Sequence, residues 1–357
     1  MRTIRSPHRS LTACIAFIAV LAACSPNQVP PPSVSDAPMP SGLAGGAGRI
    51  AFQANRANET SGIYLMEPDG SNVEPLVDDA GIYETDPVWS PDGSLIAYAA
   101  MSADGQGAGA VFMVDLDGGE PVQVTDALPF GVVWSPDGAM LAVGGDGGER
   151  GLGIYDVAQA RFDLVTQDGG TAPHWSPDGT RIAYDVPAQG GDVWVLDVAS
   201  GEARNLTDSD WSDSVARWTE DGTGIVFVSD RDTDRSADAH RSWMIDADGG
   251  EPELLGEPVI GFAHWPSPDG QWLAYAAPDG SGLRLSRADG TEDRAVHPTV
   301  PADHGPSWAA DSSAFMFSTA FDAPRDLFLM RVGAETPEQI TDDPADDSAP
   351  SWGPPRS

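Results

Sequence analysis

Trp89-Ser90-Pro91-Asp92-Gly93 decides the fold, because this stretch returns along the chain at a nearly constant interval. Intact copies occupy residues 134–138 and 175–179, and altered copies begin at Trp218, Trp265, Trp308 and Trp352. The steps between the seven tryptophans are 45, 41, 43, 47, 43 and 44 residues. A period of about 40–45 residues indicates a repeat architecture in which each unit packs mainly against its neighbours.

Each unit carries three further short apolar runs besides its tryptophan run. The runs that follow Trp89 are Ile96-Ala97-Tyr98, Val111-Phe112-Met113 and Val122-Gln123-Val124. Runs rich in β-branched and aromatic residues, separated by Gly, Asp and Pro, are typical of strands and hairpins, and no stretch keeps a helical period. Four strands per unit in seven units predict an all-β, seven-bladed β-propeller over residues 49–357.

The repeated motif favours a structural role over a binding role. Serine at the first position of Ser-Pro-Asp-Gly, proline at the second and glycine at the exit suit a tight turn. The tryptophan before the turn is expected on the innermost strand, where its flat ring fills the wedge between blades.

The order of the strands predicts how the ring closes. The propeller begins with a strand that elsewhere follows the tryptophan, at Ile50, and ends with a tryptophan strand at Trp352. The last strand should therefore complete the first blade, which removes two exposed sheet edges.

The first 48 residues have a different character from the repeats. Residues 1–23 combine three arginines with an apolar run from Leu11 to Ala23, which predicts a signal peptide. The ending Leu21-Ala22-Ala23-Cys24 resembles a bacterial lipobox, which implies a lipid anchor on Cys24. By resemblance to the sorting signals of Gram-negative lipoproteins, Ser25 after the cysteine implies the outer membrane if the cell has one. Residues 24–48 are rich in Pro, Gly and Ser and predict a flexible tether. The expected location is the periplasmic side of the outer membrane, or the outer face of the cell membrane in other bacteria.

Charge and cysteine content exclude several classes of function. The formal net charge is −36 with no lysine, and removal of a leader containing Arg2, Arg5 and Arg9 would bring it to −39. Such a chain repels phosphate backbones, so no nucleic acid partner is expected. The two cysteines, Cys14 and Cys24, both precede the repeats, so we expect no disulfide and no thiol chemistry in the propeller. No cofactor signature is recognised, and a monomer is expected.

The unit that runs from Pro87-Val88-Trp89-Ser90-Pro91-Asp92-Gly93 through Ile96-Ala97-Tyr98 to Val124-Thr125 resembles the TolB-type propeller repeat. The resemblance covers about residues 49–355 and implies the propeller fold. Members of that family include envelope scaffolds, propeller domains of serine peptidases and some polysaccharide lyases. This chain departs from TolB in having seven units instead of six, a lipobox, and no helical N-terminal domain. The resemblance therefore implies no single function.

Three histidines form the candidate for catalytic chemistry. His174 and His264 stand immediately before tryptophans, and His304 lies four residues before Trp308. Inner strands line the axis, so these imidazoles could converge and bind a transition metal. This resembles seven-bladed oligogalacturonate lyases, which use a histidine-bound metal. Single histidines at such positions are more often packed or solvated, so no metal is expected and a metal-dependent polysaccharide lyase is the alternative.

No Gly-x-Ser-x-Gly motif occurs, so peptidase chemistry is not expected.

The predicted function is a lipid-anchored, non-catalytic scaffold that binds an envelope protein or a glycan. Recognition is expected on the loops that lead into the tryptophan strands, together with the long loop 229–241. The aspartates at 230–238 and 342–347 are expected to be solvated. The candidate binding residues are Asp86, Phe130, His174, Trp211, Asp213, His264 and His304.

Overall fold

The computed structural model describes residues 48–355, except 57–59, 105–108, 117–118, 128, 130, 146–150, 168, 188–190, 232–240, 256–263, 278–279, 300–304 and 320–323. The predicted signal peptide, Cys24 and residues 25–47 of the predicted tether, together with Phe130 and His304, lie outside the described residues. The described residues belong to one compact unit. Among them there is no helix with the length and apolar character needed to cross a bilayer.

The described chain forms seven antiparallel sheets of four strands, which confirms the predicted seven-bladed propeller. Blade 1 contains β28 (Ser348–Trp352), β1 (Ile50–Ala54), β2 (Gly62–Met66) and β3 (Glu74–Val77). Blade 2 contains β4 (Ile82–Trp89), β5 (Leu95–Ser102), β6 (Ala110–Asp115) and β7 (Val122–Thr125). Blade 3 contains β8 (Val132–Trp134), β9 (Met140–Val143), β10 (Gly153–Asp156) and β11 (Arg161–Leu164).

The remaining four blades repeat the same strand order. Blade 4 contains β12 (Thr171–Trp175), β13 (Arg181–Val186), β14 (Asp192–Asp197) and β15 (Ala203–Asn205). Blade 5 contains β16 (Asp213–Trp218), β17 (Gly224–Ser229), β18 (Arg241–Asp246) and β19 (Glu253–Leu254). Blade 6 contains β20 (His264–Pro266), β21 (Trp272–Ala276), β22 (Leu283–Arg287) and β23 (Arg294–His297). Blade 7 contains β24 (Ser307–Trp308), β25 (Ala314–Ser318), β26 (Leu327–Arg331) and β27 (Glu338–Gln339).

Blade 1 is closed by the C-terminal strand, as the order of the repeats predicts. Strand β28 pairs antiparallel with β1, with Ile50 opposite Trp352 and Ala51 opposite Ser351. The two ends of the propeller therefore share one sheet.

The tryptophan strands are the innermost strands of the ring. Five indole N–H groups donate to a backbone carbonyl on the inner strand of the preceding blade. These bonds run from Nε1 of Trp89 to Ser351, Trp134 to Val88, Trp175 to Val133, Trp218 to His174 and Trp308 to Trp265, at 3.0–3.2 Å. The tryptophans thus join neighbouring blades by directed hydrogen bonds as well as by packing.

The hydrophobic core lies between the blades. One cluster joins Met316 and Leu329 of blade 7 to Phe52 and Trp352 of blade 1. Another joins Ile63 of blade 1 to side chains of blade 2, including Tyr98. Because each sheet buries both faces against its neighbours, a blade depends on the rest of the ring for its stability.

The Ser-Pro-Asp-Gly stretches form tight turns, as the sequence indicates. In the first copy, the Ser90 hydroxyl donates to Asp92 Oδ1 at 2.7 Å, and the Ser94 amide donates to the same oxygen at 3.0 Å. Gly93 has a φ of +72°, a conformation that glycine adopts without steric cost. The Ser90 hydroxyl and the Ser94 amide and hydroxyl hold the pKa of Asp92 below its usual value. The aspartate therefore has a structural role in the turn.

The register of blade 6 corrects the alignment that the sequence suggests. Pro266 lies opposite Leu273, the pairing that a tryptophan makes in other blades, as when Trp175 lies opposite Ile182. Trp265 thus takes the position before the usual tryptophan, and His264 lies one step earlier again. The inserted Pro266 moves the tryptophan off its usual place, because side chains alternate between the two faces of a strand.

Candidate functional site: the loop face

The two edges of the ring differ in the kind of connection that they carry. The Ser-Pro-Asp-Gly turns and the turns between the third and fourth strands share one edge, which we call the turn face. The inner strands begin at the opposite edge, at Ile82, Thr171, Asp213 and Ser348, for example. We call this edge the loop face, because it carries the longer connections between strands and between blades.

The inner strands enter from the loop face through a repeated backbone irregularity. Six residues, each three positions before the tryptophan of its blade, have φ between +47° and +125°: Asp86, Gly131, Ala172, Val215, Gly305 and Ala349. In four of the seven inner strands the pairing register shifts at this point. Such bulges bend a strand and leave backbone N–H groups outside the ladder.

Val215 is the most demanding case, because a β-branched residue rarely adopts a left-handed conformation. The buried Asp185 carboxylate of blade 4 accepts the Val215 amide at 2.7 Å and the Ala216 amide at 3.2 Å. Burial raises the pKa of Asp185 to about 6, although these amides and Arg217 act in the opposite direction. The carboxylate therefore satisfies the donors that the bulge releases and holds a strained backbone in place.

The position immediately before a tryptophan of the usual register carries an ionisable side chain in two blades. Arg217 and His174 occupy this position in blades 5 and 4. Burial, together with the positive charge of Arg217, lowers the pKa of His174 to about 4. His174 is therefore neutral at physiological pH and faces a cation.

The register places His174 and His264 at different steps of their strands. His174 precedes a tryptophan in the usual position, whereas His264 is two residues before Pro266, which holds that position in blade 6. The alternation of a strand directs the two histidines to opposite faces of their blades. Within the described ranges, no group of three or more His, Cys, Asp or Glu side chains is arranged to hold a metal ion.

Asp213 lies beneath the loop face and not on its surface. Its exposed fraction is 0%. The Arg231 guanidinium donates to Oδ2 at 2.7 Å, and the Ser209 hydroxyl donates to the same oxygen at 3.0 Å. Arg231 in turn lies 5.1 Å from the ring centroid of Phe227 and 5.2 Å from that of Trp243. This aspartate is thus an anchor for the blade 5 loops.

Blade 1 repeats the same arrangement with different residues. Asp347, also 0% exposed, accepts from Arg56 Nη2 at 2.6 Å. Arg56 contacts Asp343 as well and lies 5.5 Å from the Phe52 ring centroid. The neighbouring acid Asp346 is held by Arg325. The acidic run 342–347 is therefore largely ion-paired, in contrast to the solvated run that the sequence suggests.

Of the described candidate residues, Trp211, Asp86 and His174 are partly exposed, and Trp211 and Asp86 belong to segments at the loop face. The Trp211 amide donates to the Ser209 hydroxyl at 3.2 Å. Asp86 has a φ of +57° at the blade 2 bulge and accepts from the Thr85 hydroxyl at 3.0 Å. The acidic loop that contains Trp211 is thus supported directly by the buried Asp213 and Arg231 pair.

Glu84 is a buried acid that the sequence does not single out. It is 1% exposed, and burial raises its pKa to about 7, with the nearby Asp79 and Asp78 carboxylates contributing in the same direction. It recurs at the same offset as Asp213 and Asp347, five residues before the tryptophan of its blade. That offset is the signal by which sequence alignment of the repeats could have found it.

We expect Glu84→Gln to remove part of the pH dependence of stability. The folded-state pKa of about 7 exceeds the reference value of 4.5, so the folded chain binds more protons between these values. Stability from this group is therefore present at low pH and lost as pH rises towards 7. At pH 8 the variant should be more stable than the parent by up to about 3 kcal/mol, measured by urea unfolding.

The exposed Glu202 on the turn face supplies the matched control, because Glu202→Gln changes the same functional group without burial. Its unfolding free energy should follow that of the parent at every pH. Parallel curves for Glu84→Gln and the parent between pH 4.5 and 8 would contradict the burial of an ionisable Glu84.

The family comparison agrees with the repeat pattern. A family model described as PD40, the TolB beta propeller domain, matches residues 133–356. The uncharacterized protein Atu1656 of Agrobacterium fabrum is 30% identical over 232 residues, which cover 60% of this chain and 77% of that protein. The uncharacterized peptidase YuxL of Bacillus subtilis is 28% identical over 206 residues, which cover 54% of this chain but only 30% of the peptidase.

Two solved structures show the same fold at low sequence identity. TolB from Acinetobacter baumannii superposes with a TM-score of 0.54 at 18% identity, covering 85% of this chain and 82% of TolB. An oligogalacturonate lyase in complex with manganese gives 0.57 at 16% identity, covering 83% of this chain and 85% of the lyase. At these identities the likeness concerns the fold alone.

Proposed function

The chain belongs to the TolB beta-propeller family, and from that membership we propose that it is a non-catalytic binding scaffold of the bacterial cell envelope. In this proposal the lipidated Cys24 holds the propeller at a membrane, and the loop face takes up an envelope protein or a glycan. The finding that carries the proposal is the pairing of buried acids with arginines beneath the loops of blades 1 and 5.

The buried carboxylates beneath the loop face have a structural role. Asp213 and Asp347 are each bound to an arginine, and Asp185 is bound to backbone amides, so these three carboxylates hold loops and a bulge in place. A buried, hydrogen-bonded pair fixes the geometry of the segments that carry it. Loops on such a base are pre-organised, which lowers the entropy lost when a partner binds.

Photocrosslinking in living cells tests the proposal. A photoreactive amino acid replaces the exposed Asp210 on the loop face of the full-length chain, or the exposed Ser200 on the turn face of blade 4 as a matched control. We expect a discrete crosslinked protein, or a crosslinked glycan revealed by glycosidase digestion, from position 210 and not from position 200. Equal products from both positions, or none from position 210, would overturn the proposal.

A further inference from the structure

Among the described residues, three blades carry a buried acid at one equivalent position, five residues before the tryptophan of the inner strand. These acids are Asp347 in blade 1, Asp213 in blade 5 and Glu84 in blade 2. In each of these blades two aromatic rings face each other across the second and third strands: Phe52 and Tyr64, Phe227 and Trp243, and Tyr98 and Phe112. The acid and the two rings therefore form one repeated element.

In blades 1 and 5 an arginine completes this element. Arg56 follows Phe52 by four residues, and Arg231 follows Phe227 by the same step. Each guanidinium contacts its acid, at 2.6 Å in blade 1 and 2.7 Å in blade 5. Each also lies within 6 Å of both rings, the range of a cation–π contact.

In blade 2 the same position is held by Ser102, four residues after Tyr98. The two rings remain, stacked with centroids 5.9 Å apart and an interplanar angle of 21°. Glu84 Oε1 accepts the Asp79 amide at 3.4 Å, whereas the buried Glu84 Oε2 has no hydrogen-bond partner among the described residues. Blade 2 thus keeps the acid and the rings and lacks the cation.

The surroundings of Glu84 favour a positive guest. The charged groups that act on its carboxyl are those of Asp78 and Asp79, which are both acidic. A buried carboxylate oxygen without a partner is costly, and a guanidinium would supply both the charge and the donors. The backbone of Glu84 is clamped to blade 1, because its amide donates to the Ser61 carbonyl at 2.9 Å and its carbonyl accepts the Ser61 hydroxyl at 3.0 Å.

The arginine position in blades 1 and 5 lies at the margin of the loop face. The side chains of Arg56 and Arg231 are 14% and 11% exposed, although their acids are fully buried. In blade 2, strand β5 ends at the half-buried Ser102, and the next residues, Ala103 and Asp104, are exposed. Solvent thus reaches Ser102, whereas Glu84 and Tyr98 are 1% and 3% exposed, so a guest side chain entering beside Ser102 must displace the side chains that cover them.

We propose that Glu84, Tyr98, Phe112 and Ser102 form a binding site for a guanidinium group, supplied by an arginine side chain of a basic partner on the loop face. The part of this proposal in which a partner supplies the guanidinium rests on the proposed scaffold function. The site itself is inferred from the comparison of the three blades. The net charge of −36 attracts a basic partner over a longer range.

Calorimetric titration of the purified full-length chain with ethylguanidinium chloride at pH 8 tests the site, with sodium chloride of equal ionic strength as the blank. We expect saturable binding to the parent that weakens by about tenfold or more in Glu84→Gln, because the charge-assisted contact is lost. Ser102→Arg should abolish binding by filling the site with the arginine of the other two blades.

Glu202→Gln on the turn face is the control and should bind the probe as the parent does. Equal binding by Glu84→Gln and the parent, or no saturable binding by the parent, would overturn the site. The guanidinium site and the scaffold function can fail independently of each other. Probe binding without a crosslinked partner would retain the site and remove the scaffold, and a crosslinked partner without probe binding would do the reverse.

Discussion

Deletion of residues 348–357 is expected to abolish cooperative folding of the propeller. The deletion removes strand β28, which supplies the inner strand of blade 1 and the buried Trp352. Loss of a buried tryptophan side chain alone costs about 3–5 kcal/mol, and the inner edge of β1 loses its partner strand as well. The sum approaches the whole stability of an ordinary domain, about 5–15 kcal/mol.

Thermal unfolding followed by circular dichroism, together with size-exclusion chromatography, measures this effect. Deletion of residues 356–357 alone is the matched control, because it leaves β28 intact, and it should unfold as the parent does. The longer deletion spares Asp347, so the ion pair with Arg56 is not removed with the strand. A 348–357 deletion that unfolds in one transition at the parental temperature would show that closure by β28 contributes little.

Asp213→Ala is expected to destabilise the protein by about 3–5 kcal/mol, because it leaves the buried guanidinium of Arg231 without its carboxylate. The double variant Asp213→Leu with Arg231→Met should lose less than the single variant, since it leaves no buried charge. Chemical denaturation at pH 7 measures both.

The exposed pair of Arg161 and Asp163 is the matched comparison within the same chain. Their side chains are 63% and 54% exposed, so Asp163→Ala should cost less than about 1 kcal/mol. Equal losses for Asp163→Ala and Asp213→Ala would contradict a special role for the buried pair. A double variant as unstable as Asp213→Ala would assign the loss to packing and not to the unpaired charge.

The fold could be predicted from the sequence because its signals are local and periodic. The spacing of the tryptophans gives the number of blades, and the position of Ile50 relative to Trp352 gives the closure. The blade count rests on short-range turn chemistry that occurs in six of the seven blades, so one altered copy does not obscure the pattern. The insertion of Pro266 was the exception, since a single residue reverses the side-chain direction of a strand.

The site was harder to predict because its residues act across distances that no local pattern records. In the sequence, Asp213 looks like one more acid of an exposed acidic loop. In the structure it is buried and paired with Arg231, which follows the next strand and lies over the Phe227 ring. Glu84 carries no local signal at all. Only alignment of the blades shows that it shares an offset with two acids that are paired with arginine.

Because β1 pairs with β28, blade 1 can be completed only after the last strand has been synthesised. Ile50 and Trp352 face each other in one sheet, although about 300 residues separate them in the chain. A ribosome therefore releases three strands of blade 1 long before the fourth exists, and their edge stays available to other chains in the meantime. Folding of this ring cannot be completed vectorially from the N-terminus, so the finished propeller is a property of the full-length chain.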